Sequence, residues 1–455
     1  MTKNKVLGEK MNAREVAVYA LIDILEQQSY NNLTLKKFFN DNKDIKSQDR
    51  AFITELVNGT LRNIIFIDYI INSFSNTKTN KMKPLILNIL RISVYQIKFM
   101  EKVPVSAICN EAVSFTKKKK FNGLSGFVNA VLRNIARNID SIILPDEQKE
   151  PVKFLAIKYS YEQWVIEKFI QQLGYEKTKQ ICEANILSPK VSICVNTNKT
   201  TKDELKSILI KEGMNVEDGK ISNNSLYITK TKNIAESNAF KKGLFHIMDE
   251  SSMIAIEALE PKENDIIIDV CSAPGGKSFY CSYIMKNTGQ IFSRDIHKHK
   301  IELMQDGVKR LNIKNIKLEL KDATQFYKED EQIADKVIID APCSGFGIVR
   351  KKPDIKYTKT ENDIKELVSI QREILKSSCK YVKKRGILLY STCTLFKEEN
   401  IENVKWICEN YGFELCKIEF NSSLKIEGME KGYITILPNM FNTDGFFIAK
   451  LKRIN

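Results

Sequence analysis

Asp265-Ile-Ile-Ile-Asp269-Val-Cys271-Ser-Ala-Pro-Gly-Gly-Lys277 is the stretch that decides how this chain folds. An apolar run of strand length ends in an acid, a glycine turn follows, and a helix start comes next. Strand, turn and helix in that order form the first unit of an alternating α/β sheet. The alternation continues to the C-terminus, with candidate strands at 265–270, 290–294, 316–320, 336–339 and 386–390 and a late pair near 433–437 and 445–451. Seven strands alternating with helices predict a mostly parallel sheet covered on both faces. In such sheets ligands bind beyond the carboxyl ends of the strands.

Asp269, Asp295, Asp322 and Asp340 each fall at or just past the end of a successive candidate strand. Aspartate also caps turns, but four in register predict one functional edge. The turn Pro274-Gly275-Gly276-Lys277 lacks both the GxxxxGK[ST] and the GxGxxG spacing. Its glycines allow close backbone approach, and the helix start behind them favours an anionic group such as a carboxylate. Asp295 is placed for ribose hydroxyls and Asp322 for an adenine amine. An adenosine cofactor with an amino-acid tail satisfies this set better than a triphosphate, which the acids would repel. The expected cofactor contacts are Cys271, Ser272, Ala273, Pro274, Gly275, Gly276, Lys277, Asp295, Asp322 and Asp340.

Two further strand ends carry thiols. Lys336-Val-Ile-Ile runs into Asp340-Ala-Pro-Cys343-Ser, and Gly386-Ile-Leu-Leu-Tyr390 runs into Ser391-Thr-Cys393-Thr, the cysteines standing 50 positions apart. Cysteine is commonly a buried small hydrophobe, which is the reading for Cys109, Cys182, Cys194, Cys379 and Cys408. Cys343 and Cys393 differ because each is delivered to the cofactor edge. A thiolate adding to C6 of cytosine turns C5 into an enamine carbon able to accept an electrophilic methyl group. That route asks for a cysteine of lowered pKa, an acid near N3 and a methyl donor on the far side of the base.

The rest of the chain fits an RNA-handling protein. It has 455 residues, a formal charge of +15 and a pI near 9.1, a balance suited to a polyanionic partner. Its ten cysteines form no CxxC or Cys/His cluster, and only three histidines are present, so neither a disulfide framework nor a zinc site is expected. No apolar stretch is long enough to span a bilayer and no secretory signal is visible, which predicts a cytoplasmic location. Residues 1–142 read as a helical bundle, with Asn12 and Asp49 as caps and Pro84 in a first turn. Lys117-Lys-Lys-Lys120 lies between two of its helices as a solvated face or an RNA contact, and 140–151 reads as a linker. Residues 143–240 carry further helices and a small α/β module with strands at 191–195 and 225–229, and 241–455 form the catalytic region.

The blocks Asp269-Val-Cys-Ser-Ala-Pro-Gly-Gly-Lys-Ser278, Asp340-Ala-Pro-Cys-Ser-Gly345, Ser391-Thr-Cys-Thr394, Arg350-Lys-Lys-Pro-Asp-Ile-Lys356 and Thr443-Asp-Gly-Phe-Phe-Ile-Ala449 resemble the signatures of the RNA 5-methylcytosine methyltransferases. The front region, with Asp49-Arg-Ala-Phe-Ile-Thr-Glu-Leu-Val-Asn-Gly-Thr-Leu-Arg62, resembles a NusB-type RNA-binding bundle. Together they resemble the bacterial Sun/RsmB group, which methylates a cytosine of 16S rRNA. The resemblance implies a Rossmann-like class I methyltransferase domain behind an RRM-like module and a NusB-like domain, S-adenosylmethionine as donor, and a monomer. It implies Cys393 as the nucleophile, Cys343 in release of the methylated product, and Asp340 on the cytosine ring. Lys277 then orients the donor tail or the substrate. The target base would be flipped out or in a loop, Lys and Arg of segment 350–356 and the small α/β module would hold RNA backbone, and Phe346 and Tyr357 are candidates either to stack on bases or to pack. Cys194 replaces a usual Arg, and Met248 and Met253 stand where glutamines are common. Competing readings are the same reaction on tRNA, and a non-catalytic RNA-binding or ribosome-assembly factor.

Overall fold

The computed structural model describes residues 11–27, 31–42, 45–230, 234–420 and 424–454. The chain forms two compact units, Met1–Ile186 with Lys352–Thr358, and Leu187–Lys351 with Lys359–Asn455.

In the first unit, helices Ala13–Glu26, Asn31–Asp41, Ser47–Arg62, Ile64–Phe74, Pro84–Phe99, Val105–Lys118 and Ser125–Asn138 surround one core. Val16, Leu21 and Ile24 meet Leu56, Val57, Leu90 and Leu132 there, all fully or almost fully buried. Asn12 caps the first helix by accepting the Glu15 N–H at 2.9 Å, as its residue type predicts. Asp49 is not a cap: its helix begins at Ser47, and Asp49 lies in the first turn, where its charge still favours the helix dipole. Two residues of the four-lysine run have protein partners. Lys118 pairs with Glu15 at 3.0 Å, and Lys119 lies over the Tyr19 ring. Three more helices, Pro151–Tyr159, Gln163–Leu173 and Tyr175–Ile186, complete the contiguous part.

The non-contiguous piece, Lys352–Thr358, inserts Lys356 into the helical unit. Its ammonium donates to the carbonyls of Arg62 (3.2 Å) and Tyr159 (2.8 Å), the last residues of two helices, and sits 4.1 Å from the Tyr161 ring centroid. Orphan carbonyls at a helix C-terminus attract a cation. Burial is nevertheless the stronger influence and depresses the Lys356 pKa from 10.5 to about 7, with Arg62 pushing the same way and Cys182 opposing. A depressed amine contributes stability that is complete above its unfolded pKa and is lost as pH falls through about 7. Unfolding of the full chain, followed by Trp164 fluorescence in a Trp406→Phe background, should therefore show wild type gaining on Lys356→Met by up to ~1.4 kcal/mol per pH unit between pH 7 and 10. A pH-independent difference between the two proteins would contradict this.

The second unit holds two sheets. In the smaller one, β1 (Val191–Val195), β2 (Asn215–Asp218), β3 (Ser225–Lys230) and β4 (Phe245–Ile247) pair antiparallel in the order β2-β3-β1-β4. Helix Lys202–Lys211 crosses it, started by a capping box between Thr201 and Glu204. The larger sheet comprises β5 (Ile266–Asp269), β6 (Gln290–Asp295), β7 (Ile316–Leu320), β8 (Ala334–Asp340), β9 (Val382–Thr392), β10 (Phe413–Leu415), β11 (Tyr433–Ile436) and β12 (Phe446–Arg453). Its continuous order is β10-β12-β9-β8-β5-β6-β7, parallel from β9 to β7, with β11 paired to β12 outside that path.

The expected seven-strand path is thus present, with one exchange. The sequence reading counted β11, whereas the seventh strand is the three-residue β10 and β11 is an eighth. Ile267, Ile268, Val337, Ile338, Ile339, Leu388 and Leu389 are fully buried, so β5, β8 and β9 are covered on both faces. Each such side chain contributes about 1.5–3 kcal/mol. The chain leaves β7 at one edge and returns to β8 on the far side of β5, which opens a crevice at the carboxyl ends of β5 and β8.

Candidate active site

Register brings the thiols together. β8 and β9 are parallel neighbours with Asp340 opposite Ser391. Cys343 lies three residues past the end of β8 and Cys393 one residue past β9. Their sulfurs stand 3.4 Å apart. The Cys343 thiol is held well above its ordinary range, first by its hydrogen bond to Cys393 and then by burial. Gly347 donates its N–H to the Cys393 carbonyl at 2.9 Å and accepts from the Gly445 N–H at 2.8 Å. A Cβ at Gly347 would overlap the Gly445 carbonyl, so only glycine lets these loops close.

Asp340 joins this edge to the glycine turn. Lys277 Nζ lies 2.7 Å from its Oδ2, and the Ser391 hydroxyl donates to its Oδ1 at 2.9 Å. Lys277 also sits 5.1 Å from the centroid of the Phe446 ring. Ser391 and Phe446 lie inside the signature blocks 391–394 and 443–449, but their residue types alone assign them no role at this edge.

The glycine turn begins where Cys271 and Ser272 leave β5, runs through Ala273 and Pro274, and ends at helix Gly276–Ile284. Gly275 has φ +101°, and a Cβ there would meet the Phe279 ring at 2.5 Å. Ser272 is tied to the neighbouring strand, its N–H donating to the Arg294 carbonyl at 2.8 Å. His246 backs the turn from β4, with Nε2 3.2 Å from the Gly276 carbonyl and Nδ1 3.1 Å from the Tyr283 hydroxyl. Burial lowers its pKa to about 3, which keeps the ring neutral. Asp269 does not line the edge: it is fully buried, accepts from Ser278 at 2.6 Å, and is raised by burial to about 7.

Asp295 ends β6, with Oδ1 taking the His297 N–H at 2.9 Å. Asp322 follows β7, with Oδ1 held by the Thr324 N–H and hydroxyl and Oδ2 without a hydrogen bond among the described residues. The helix N-terminus behind left-handed Gly275 fits a methionine carboxylate, and the acids past β6 and β7, Asp295 and Asp322, fit a ribose and an adenine amine respectively.

The basic segment departs from expectation. Arg350 is 2% exposed and binds the carbonyls of Asn442 (2.9 Å) and Thr443 (2.6 Å). Lys351 bridges Asp249 (2.6 Å) and Asp444 (2.7 Å). Lys356 is buried in the helical unit as described above. These cations are committed to protein partners, and only Lys352 is exposed. Phe346 is fully buried against Phe396, with ring centroids 5.0 Å apart, and the Tyr357 hydroxyl donates to the Ser160 carbonyl at 3.1 Å. Phe346 is therefore core, and the Tyr357 hydroxyl is a tether within the helical unit.

Comparison with known proteins decides the family. The chain is 38% identical to a probable ribosomal RNA small subunit methyltransferase B of Bacillus subtilis, over 98% of this chain and 99% of that protein. The counterpart from Synechocystis is 30% identical over 97% of this chain and 100% of its own. The chain belongs to the RsmB family of ribosomal RNA small subunit methyltransferases. The 16S rRNA methyltransferase RsmB/F profile matches residues 256–452, the NusB family profile 11–137, and the RsmF/B ferredoxin-like profile 161–235. The crystal structure of PH0851 superposes with a TM-score of 0.81 at 27% identity, covering 98% of this chain and all of that one. NSun6 from Pyrococcus horikoshii with SFG gives a TM-score of 0.58 at 26% identity, over 64% of this chain and 97% of that one. As an RsmB-family member the protein is an S-adenosylmethionine-dependent 16S rRNA methyltransferase.

Proposed function

We propose that this enzyme methylates C5 of one cytosine in 16S rRNA through a covalent bond between Cys393 Sγ and C6 of the base. The observation that carries this reading is the 3.4 Å approach of the Cys343 and Cys393 sulfurs at the strand edge that also holds Asp340. S-adenosylmethionine supplies an electrophilic methyl group, and the glycine turn with Asp295, Asp322 and Asp340 holds it.

Cys393 attacks as the thiolate, and electron density moves from the C5–C6 bond to C5, which takes the methyl group. Asp340, fixed by Lys277 and Ser391, hydrogen-bonds the ring. C5 then carries both a proton and a methyl group. Loss of that proton re-forms the C5–C6 double bond and expels Cys393 as thiolate.

Cys343 is in reach to take the proton. The largest influence holding its thiol protonated is its hydrogen bond to Cys393. Once Cys393 is a thioether, the hydrogen-bonded partner charge is gone and Cys343 ionises more readily. The pair thus hands basicity from one sulfur to the other between the two steps.

We assign three working modules: a NusB-like RNA-binding domain at 1–142, helices with an RRM-like module at 143–240, and the methyltransferase domain at 241–455. The substrate cytosine is unpaired or flipped out, and the enzyme works in the cytoplasm as a monomer. Unmodified 16S rRNA incubated with the protein and S-adenosylmethionine should acquire bisulfite resistance at a single cytosine. Transfer to tRNA instead, or to neither RNA, would overturn the assignment.

A further inference from the structure

Beneath the two thiols lie adjacent buried residues, Glu399 and Asn400, which the chemistry above does not use. Glu399 is 0% and Asn400 3% exposed, so neither touches substrate. Glu399 holds the residues flanking Cys343 most heavily and also takes a hydrogen bond from the Thr394 side chain beside Cys393. Its Oε1 accepts the Ser344 N–H (2.8 Å) and Gln371 Nε2 (3.0 Å), and its Oε2 accepts the Ser344 hydroxyl (2.5 Å). The same Gln371 amide donates to the Pro342 carbonyl at 2.9 Å, so both sides of Cys343 are tied to this carboxylate. Asn400 grips the residues flanking Cys393: its Oδ1 accepts the Thr392 hydroxyl, and its Nδ2 donates to the Thr394 carbonyl at 3.0 Å. The Ser344 and Thr394 hydroxyls then join the two loops at 2.8 Å. The base of the clamp is fixed by the Tyr390 hydroxyl, which donates to the Glu399 carbonyl at 2.6 Å.

We infer that Glu399 and Asn400 are positioning residues, Asn400 for Cys393 and Glu399 chiefly for Cys343, and that together they set the sulfur–sulfur spacing on which both covalent steps depend. This inference rests on the roles proposed for Cys393 and Cys343. A buried carboxylate can be satisfied simply to keep the core folded, and burial does raise the Glu399 pKa. Packing alone, however, gives no reason for two neighbouring residues to take hold of both cysteine loops. A displacement near 1 Å in an active site costs about 10²-fold in rate, so a clamp of this kind has a kinetic signature.

The uneven grip, with most Glu399 bonds on the Cys343 side and both Asn400 bonds on the Cys393 side, predicts different dominant failures. In the full-length protein, Asn400→Ala should slow bond formation by Cys393, with kcat down roughly 10²-fold and little covalent protein–RNA species on a denaturing gel. Glu399→Ala should slow proton removal by Cys343, with a similar fall in kcat but accumulation of that species. KM for rRNA should stay within about twofold in both, because neither residue contacts it. Glu399→Gln, which still accepts the Ser344 and Gln371 N–H groups at one oxygen, should recover most of the activity.

Spacing is read independently of chemistry with phenylarsine oxide. This reagent forms two As–S bonds to a close thiol pair and releases water. Both alanine variants should bind it at least about tenfold more weakly than wild type, equivalent to about 1.4 kcal/mol. If an alanine variant fails to fold, the isosteric Thr394→Val, which removes the link to Ser344, should still lower kcat and arsenical affinity together. Full activity in the folded alanine variants, equal adduct levels in both, or lost activity with wild-type arsenical affinity would each overturn the clamp. Should Cys393 prove not to be the nucleophile, the arsenical result would still report on the spacing, so the two failures are separable.

Discussion

Cys393→Ala is expected to abolish methyl transfer, by roughly 10⁴-fold or more, the scale on which removal of a catalytic nucleophile acts. Any covalent protein–RNA species should disappear with it. Cys343→Ala should behave differently: the adduct forms and methylation proceeds, but release stalls and the species accumulates on a denaturing gel. Removing both thiols should return the system to no adduct. The contrast follows from the roles proposed for the two sulfurs, which stand 3.4 Å apart, the Cys343 thiol being raised by its hydrogen bond to Cys393 and by burial. A Cys393→Ala protein that still methylates, or a Cys343→Ala protein that forms no adduct, would reverse the assignment.

The second large effect is expected at Asp340. Its two oxygens are held by Lys277 and Ser391, so the carboxylate is aimed by one residue from the glycine-turn helix and one from β9. Asp340→Asn keeps the side-chain shape. It weakens the pairing with the Lys277 ammonium, however, and removes the ionisable carboxyl group that the base requires. A loss of about 10²–10⁴ in kcat is expected, the range for a group that manages a proton in the transition state. Stability should change little, because the Ser391 bond can persist. Measuring kcat beside the urea midpoint separates the two, and an active Asp340→Asn enzyme would remove Asp340 from the chemistry.

Much of this site was legible because its residues sit where chain periodicity changes. An apolar run that stops at an acid or a Pro-Cys pair announces a strand end, and parallel pairing then places those ends on one edge. What escaped was set by tertiary partners. β2, Asn215-Val-Glu-Asp218, carries almost no apolar pattern and exists because β3 offers it a partner. β10 is three residues long and is held by β12. Glu399 lies in Lys397-Glu-Glu-Asn400, a stretch that reads as a solvated turn, and only its burial reveals the clamp. The basic run at 350–356 failed in the opposite direction. Charge predicted an anionic RNA partner, whereas Arg350 and Lys356 spend their donors on backbone carbonyls and Lys351 on two aspartates. A count of cations states how many donors exist, not which acceptors claim them.

The insertion of Lys352–Thr358 into the helical unit has a consequence for any attempt to divide this gene. A fragment ending at Ile186 would carry every helix of the contiguous part and still be incomplete, because the ammonium that closes the ends of helices Ser47–Arg62 and Pro151–Tyr159 is encoded some 170 codons downstream. Supplying residues 350–359 as a separate peptide should restore what truncation removes. Borders drawn along the sequence and borders drawn in space differ here by one short, buried stitch.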